Sequence, residues 1–413
     1  MHTALQPAGL HRTLKVQTLN LAHLPLQLVC LQAKALVESQ LCNVRESWPR
    51  LGCSVTSDGW SSTSGRPLLN FLAVNPHGPV FLSALDTSGF VKDGDYIAEQ
   101  LSRSANAVGV ENVVAVITDN APSCKSGGEI LMGREGYEHI TWVGCTAHCL
   151  DLLLEDIGKR QWASHAIAPG KDLVKYMNNH HAAHALFRLV SAEVTAKQRA
   201  AQPLRPAHAV GPKPWVPVVL ELIKPGDTRF AMALIMLERL QKVRPVLEAL
   251  MVDPRWTTMV EDLPKKGRDV AQLQTDLVKG KGHHSKWWDS VKSLVDLSMP
   301  ILKLLRLADS DKPTMCKIWH GVQRMRADLD AVLEHLPAAE QTAIQRCIAD
   351  RCDMLISPMH GAAFMVEPGS WHLLNKPENQ QACNDFDTIV QRMCPANSEQ
   401  VSPLESNTIF LVW

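Results

Sequence analysis

Two aspartates follow short apolar runs in the first third of the chain. Asp58 comes directly after CSVTS (residues 53–57), and Asp119 comes directly after VVAVIT (residues 113–118). Both runs are rich in β-branched residues and bounded by turn-forming residues, which is typical of buried strands. Open α/β sheets place ligand sites at the carboxyl ends of their strands. If the two strands are neighbours, the pattern predicts that both carboxylates share a site for a divalent cation.

Phosphoryl transfer is the chemistry that such a pair of acids supports. Two-metal enzymes hold two cations about 3.5–4 Å apart on the attacking and leaving oxygens, and several carboxylates must converge on them. The alternative is structural, because Asp58-Gly59 and Asp119-Asn120 are also ordinary turn pairs that end strands. The spacing alone leaves both interpretations open.

A second candidate site is the CTAH motif at residues 145–148. Cys145 and His148 are three residues apart, so a helix places them on one face. As a zinc site, they would supply two of four ligands. The sequence shows no second pair nearby. A buried thiol beside a hydrogen-bonded histidine is therefore the favoured interpretation, since cysteine is commonly buried.

The residues that surround these side chains predict an α/β fold. Turn signals such as Pro76-His77-Gly78, a hairpin signal, separate the apolar runs. The predicted strands are 53–57, 68–75, 79–86, 113–118 and 140–144, and the predicted helices among them are 93–108, 121–132 and 147–157. The order β-β-β-α-β-α-β-α indicates a mixed five-stranded sheet with helices on its faces.

The rest of the chain reads as helical. The predicted helices are 162–190, 228–250, 286–307, 313–335 and 340–355. Residues 200–217 contain five prolines, which predicts a loop. Residues 254–284 are polar and predicted to be irregular, and residues 366–413 lose periodicity, so we expect poor order there.

Composition excludes several classes of protein. The 413 residues carry 42 basic and 42 acidic side chains, so any contact with nucleic acid must come from a local patch. The 11 cysteines are scattered and odd in number, which indicates reduced thiols of an intracellular protein. No apolar run approaches the roughly 20 residues of a membrane span, and the N-terminus does not resemble a signal peptide.

Several motifs in one order resemble a known family. They are SDGWSS, RPLLNF, GPVFL, ENVVAVITDNA, TWVGCTAHCLDLLLEDIGK, KPGDTRFAMALIMLERL, KWWDSVKSLVDLSMPILKLLRLADSDKPTM and SPMHGAAFMVEP. Together they resemble the transposase-related domain of unknown function of the hAT (hobo–Activator) superfamily. The resemblance covers roughly residues 50–368.

The resemblance implies an RNase H-like catalytic core that a long α-helical insertion interrupts. It divides the chain into an N-terminal helical lead-in, the core, the insertion with its Pro-rich loop near 200–217, and a divergent, poorly ordered tail. The corresponding ranges are 1–50, 51–160, 161–356 and 357–413. Members of the family cut and join DNA with three acids and a divalent metal, so Mg²⁺ or Mn²⁺ is the cofactor expected of an active enzyme.

Asp58 and Asp119 match the first two acids of the family. The third acid is a glutamate beyond the insertion, in a C-terminal dimerisation segment, and no part of the tail before Trp413 matches that segment. The family's DNA-binding zinc finger also has no match. The resemblance therefore implies a truncated or domesticated relative. It also implies a homodimer, although the family's dimerisation segment has no match here.

The resemblance also implies three DNA contacts and a nuclear location. His148 lies close to the family's catalytic site, and Arg229-Phe230 stands where members often carry Arg-Trp beside the DNA end. Arginine pairs with phosphate and an aromatic ring stacks on an unpaired base. The alternative is a helix-start arginine beside a core aromatic residue. For the whole protein, a transposase-derived relative of DNA-cleaving enzymes and a non-catalytic DNA- or protein-binding module both stay open.

Overall fold

The computed structural model describes residues 26–201, 219–226, 229–310 and 312–394. The chain divides into two compact units. The described residues of unit 1 are 26–150, 304–310, 312–327 and 349–394, and those of unit 2 are 151–201, 219–226, 229–303 and 328–348. Unit 1 is therefore interrupted in sequence by helical segments.

Unit 1 contains a mixed five-stranded sheet with the strand order β3-β2-β1-β4-β5. The strands are β1 (Cys53–Ser61), β2 (Pro67–Asn75), β3 (Gly78–Asp86), β4 (Val113–Thr118) and β5 (Thr141–Gly144). β1, β2 and β3 pair antiparallel, whereas β4 runs parallel to both β1 and β5. The predicted fold class is confirmed, and this topology is RNase H-like. β1 and β4 are neighbours, as the shared acid site requires.

The turn between β2 and β3 is the predicted hairpin. The side-chain oxygen of Asn75 accepts the backbone N–H of His77 at 2.9 Å, a local bond that is typical of asparagine in turns. Gly78 has a φ of 123°, a backbone conformation that favours glycine. The two strands can therefore reverse direction through only two linking residues.

The helices that lie among the strands follow the predicted positions closely, and the others follow them less closely. They are α1 (Leu26–Glu46), α2 (Trp48–Leu51), α3 (Gly94–Val108), α4 (Pro122–Met132), α5 (Thr146–Gly158), α6 (Gln161–Asn179), α7 (His181–Ala200), α8 (Ala231–Met251), α9 (Pro254–Glu261), α10 (Lys265–Val278), α11 (Trp287–Ala308), α12 (Met315–Leu333), α13 (Ala338–Leu355), α14 (Pro358–Val366) and α15 (Gln380–Met393). Within the described ranges, none of these helices is both long and apolar enough to cross a membrane.

Helices cover both faces of the sheet, because its side chains alternate between two apolar cores. Val55 and Phe71 belong to the core that α3 and α4 complete. Ala115 and Val143 belong to the opposite core, which α14 and α15 complete with residues such as Phe386. The carboxyl ends of β4 and β5 lie at the margin of this second core.

Three stretches differ from the sequence-based prediction. Residues 162–190 were predicted as one helix, but the chain forms α6 and α7, with His180 between them. Residues 254–284 were predicted to be irregular, and this is wrong. Asp253 accepts the N–H of Arg255 at the start of α9, and α10 buries one apolar side.

The C-terminal stretch also differs. The chain from residue 357 was predicted to be poorly ordered, yet it forms α14 and α15 as far as Met393. The prediction failed because α15 is polar overall and buries only one face, through Phe386, Ile389 and Val390. The predicted Pro-rich loop falls largely on residues 202–218, which lie outside the described ranges.

Candidate functional site

Parallel pairing brings Asp58 and Asp119 to equivalent positions on neighbouring strands. The last paired residues of β1 and β4 are Thr56 and Ile117, and each aspartate is two residues further along the chain. In the same way, the pairing of β4 with β5 brings Cys145 level with Asp119. Side chains two apart on a strand share a face, so Asp58 projects on the Thr56 side. We name Asp58, Asp119 and Cys145 the edge row.

The Cys145 thiol responds electrostatically to its surroundings at this edge of the sheet. Burial raises the pKa of the Cys145 thiol, and the carboxylates of Asp58 and Asp309 act in the same direction, while backbone N–H groups of His148 and Ala147 oppose them. Asp58 and Cys145 belong to the same edge of the sheet, with the end of β4 between them.

Asp119 has a local structural role. One of its carboxylate oxygens accepts the N–H of Ala121 at 2.9 Å, which is the turn geometry that aspartate favours. Burial raises the pKa of the Cys124 thiol to about 12, and a hydrogen bond to Asp119 contributes in the same direction. Asp119 therefore shapes the turn from β4 into α4, as the structural alternative expected.

Asp58 has no such role in a turn. β1 continues as far as Ser61, and Asp58 pairs with Asn70 of β2 inside the strand. The expectation that the strand ends at residue 57 is therefore wrong, and so is the interpretation of Asp58-Gly59 as a turn. The side chain is exposed, so its carboxylate is accessible to a cation or a phosphate.

Cys145 and His148 flank the start of α5. The backbone N–H groups of Ala147 and His148 point to the Cys145 sulfur, so Cys145 is the capping residue of α5, and the His148 side chain is exposed. In the part of the chain that the structure describes, no group of three or more His, Cys, Asp or Glu side chains is placed to hold a metal ion. The described residues therefore add no further zinc ligand to Cys145 and His148.

A weakly held magnesium ion needs fewer protein ligands than zinc. Mg²⁺ keeps several waters and is often bound by one or two carboxylates together with the phosphate of a substrate. The two carboxylates of the edge row are Asp58, inside β1, and Asp119, directly after β4. Within the described residues no third possible ligand forms a metal-binding group with them.

The sequence did not single out Asn120, which holds two strand ends together. Its side-chain amide donates to the Cys145 carbonyl at 3.3 Å, and its buried Oδ1 has no hydrogen-bond partner within the described residues. A Cβ on residue 144 would overlap the side-chain amide of Asn120, so the close approach of Asn120 requires glycine at this position. A glycine at a strand end is the one signal of such a close approach that the sequence carries.

Arg229 and Phe230 belong to unit 2, immediately before α8. Arg229 is exposed, whereas the ring of Phe230 packs so closely on Gly158 that a Cβ there would overlap it. Asp151 accepts the backbone N–H groups of Phe230 at 3.3 Å and Ala231 at 2.8 Å. Packing and helix capping therefore account for Phe230, in line with the structural alternative for this pair.

Part of the chain matches a known protein family. A family model described as a domain of unknown function (DUF659) matches residues 27–173. The matched stretch runs from α1 into α6 and includes all five strands and the edge row. No curated protein matches the chain.

Proposed function

We propose that this chain derives from a hAT-type transposase and that its RNase H-like sheet binds DNA at the edge row. In this proposal Asp58 and Asp119 hold a Mg²⁺ or Mn²⁺ ion against a DNA phosphate. The observation that supports it is the register of β1 and β4, which makes Asp58 of β1 level with Asp119, the first residue after β4. The resemblance of the motifs to DNA-cutting enzymes supplies the substrate class.

Asp58 and Asp119 would have different roles in holding the cation. Asp58 is exposed, so it can approach both a cation and the DNA. Asp119 accepts the Ala121 N–H and is hydrogen-bonded to the Cys124 thiol, and these bonds would orient its carboxylate toward the cation. The bound cation would neutralise phosphate charge and polarise the scissile bond.

A non-catalytic DNA- or protein-binding module is the second candidate. It is favoured by a specific observation: within the described residues, no third His, Cys, Asp or Glu joins the acid pair in a metal-binding group. Strand cleavage by two cations requires several converging carboxylates. Under this alternative the RNase H-like sheet is retained as a scaffold, and the acids do not affect binding.

The test is nicking of a DNA hairpin in the presence of Mg²⁺ or Mn²⁺. We expect Asp58→Asn and Asp119→Asn to abolish divalent-dependent nicking. The asparagine at position 119 keeps an oxygen for the Ala121 N–H, so the turn into α4 is retained. Asp95→Asn is the matched control, because Asp95 is an exposed acid in the first turn of α3.

The outcomes separate the two candidates. Loss of nicking in both edge-row variants, with wild-type nicking in the control, supports the enzyme. DNA binding without nicking, unchanged by either variant and by chelation of divalent ions, supports the non-catalytic module. Nicking that all three variants retain refutes the proposed role of the acids.

The remaining expectations follow from a DNA target. Arg229 is proposed to contact the DNA backbone, and its neutralisation should weaken binding and lower its salt dependence. His148, exposed at the start of α5, is proposed as a phosphate or base contact. Action on chromosomal DNA implies a nuclear location, and a homodimer would show as a doubled mass in light scattering.

A further inference from the structure

A cavity of about 540 Å³ lies in unit 1, on the sheet face that carries the edge row. Its floor is formed by side chains of four adjacent strands, which are Ser54, Thr56, Val74, Ile117 and Val143. The volume falls in the range of about 300–1,000 Å³ that is usual for small-molecule sites. The carboxyl ends of β4 and β5 open into it, where α/β sheets commonly bind ligands.

The walls of the cavity are mainly apolar. Pro76 of the turn between β2 and β3 and Pro79 at the start of β3 form one wall. Pro313, which precedes α12, and Met315 at the start of α12 form another. Cys145 and the first residues of α5 close a third side. A ligand here would bury most of its surface against hydrocarbon, which favours an apolar body.

Two serine hydroxyls line the cavity without a partner. Ser54 is 1% exposed, and its neighbours Cys53 and Val55 face the opposite core, so its side chain faces the cavity. Neither its Oγ nor the buried Oγ of Ser310 has a hydrogen-bond partner within the described residues. An unpaired buried hydroxyl is costly, and a ligand that pairs with it removes that cost.

The described residues at the cavity mouth carry charges of both signs. Among those that line it, Asp309 and Lys312 are charged, and both are exposed. At Cys145 the carboxylates of Asp58 and Asp309 act together, which disfavours an anion at that end. The charges of Asp309 and Lys312 therefore select only weakly among ligands of different net charge. At the Cys145 end, the nearby carboxylates disfavour a ligand with an anionic group.

We infer that this cavity binds a small, uncharged, mainly apolar organic molecule with an amide, carbonyl or hydroxyl group that pairs with Ser54. The site is additional to the proposed DNA function and does not depend on it. Val74, Ile117 and Val143 bind the apolar body of the ligand. The hydroxyl of Ser54, which can donate and accept, orients its polar group.

Four probes of one shape test this inference: benzamide, benzoate, benzamidinium and toluene. Binding is followed by methyl NMR at Ile117 and Val143, without DNA or divalent ions. We expect saturable binding that is tightest for benzamide. Ser54→Ala should weaken the binding of benzamide about 3- to 10-fold, the effect of one lost hydrogen bond, and leave the affinity for toluene unchanged.

A blocking variant provides the second measurement. Val74→Trp should fill the cavity and abolish benzamide binding, whereas Leu72→Trp, on the same strand and face but outside the cavity, should not. The inference is overturned if no probe binds saturably, if a charged probe binds tightest, or if Ser54→Ala has no effect. It is equally overturned if folded Val74→Trp binds benzamide normally. Because DNA is absent, a failure here is distinct from a failure of the nicking assay.

Discussion

His360 should make the stability of unit 1 depend on pH. The residue is fully buried in α14. Its Nδ1 accepts the backbone N–H of Ser357 at 3.1 Å and lies 2.9 Å from the Ser357 hydroxyl, and its Nε2 lies 3.4 Å from the Thr146 hydroxyl. Burial lowers the pKa of His360 to about 4, because a charged imidazole would lose its hydration. Protonation at Nδ1 would also remove the acceptor that caps α14.

The magnitude follows from proton linkage. The pKa of His360 is about 4 in the folded state and about 6.5 in the unfolded chain. Between these values the unfolded chain binds more protons, so the free energy of unfolding falls as the pH falls. The contribution is fully present above pH 6.5. About 2 kcal/mol of it should be lost at pH 5, and about 3 kcal/mol below pH 4.

The assay is urea unfolding at pH 8, 7, 6 and 5 for wild type and His360→Gln. Glutamine at this position keeps an acceptor for the capping box but does not titrate. Other groups titrate in both proteins and cancel in the difference, so the advantage of wild type over the variant should shrink by about 2 kcal/mol between pH 8 and pH 5. The control is His372→Gln, because His372 is exposed. A pH dependence that is the same in wild type and His360→Gln would refute the reasoning.

Three further substitutions test packing and capping. Gly361→Ala should destabilise the protein by about 1–3 kcal/mol, because a Cβ would overlap the carboxylate of Asp385 on α15; urea unfolding measures it. Asp151→Ala should cost about 1–2 kcal/mol, since two N–H groups at the start of α8 lose their acceptor, and hydrogen exchange in the first turn of α8 reports it. Glu340→Gln should cost no more than about 1 kcal/mol, because its pair with Arg160 is partly exposed. A hydrogen bond to Arg160 lowers the pKa of Glu340, so this loss should be largest at neutral pH and shrink as the pH falls into the acidic range.

Each of these has an outcome that contradicts it. A more stable Gly361→Ala would mean that helix propensity outweighs the close contact of α14 with α15. Asp151→Asn, which keeps one acceptor, should recover part of the protection, and equal exchange in both variants would rule out capping. A Glu340→Gln loss that grows on acidification would have the wrong sign for a carboxylate with a lowered pKa.

Local patterns in the sequence were sufficient for the sheet. The two apolar runs that form β2 and β3, and the turn at Pro76-His77-Gly78 between them, correctly predicted the hairpin. The five strands were placed within a few residues, because strand formation depends on short-range periodicity and turn residues. The same local signals placed Asp119 correctly, directly after β4, but they ended β1 too early, because Asp58 lies inside that strand.

Periodicity failed where a segment is stabilised by a distant partner. The polar sequence of α15 carries only a narrow apolar stripe, and it is helical because that stripe packs against Val143 and its neighbours. The stretch that contains α9 and α10 likewise packs against other parts of unit 2, as in the bond from the Thr275 hydroxyl to the Met251 sulfur of α8 at 3.6 Å. In both cases tertiary burial outweighed a weak local propensity.

The amino-acid sequence by itself determined which residues are apolar, which end strands and which carry chemistry. Only the tertiary structure decided which of them meet. It set Asp58 and Asp119 level through the register of two strands, and it brought Ser54 and Ser310 to one cavity across more than 250 residues of chain. The physical reason is that secondary structure follows from interactions between near neighbours, whereas a site is assembled by burial of apolar faces that are far apart in sequence.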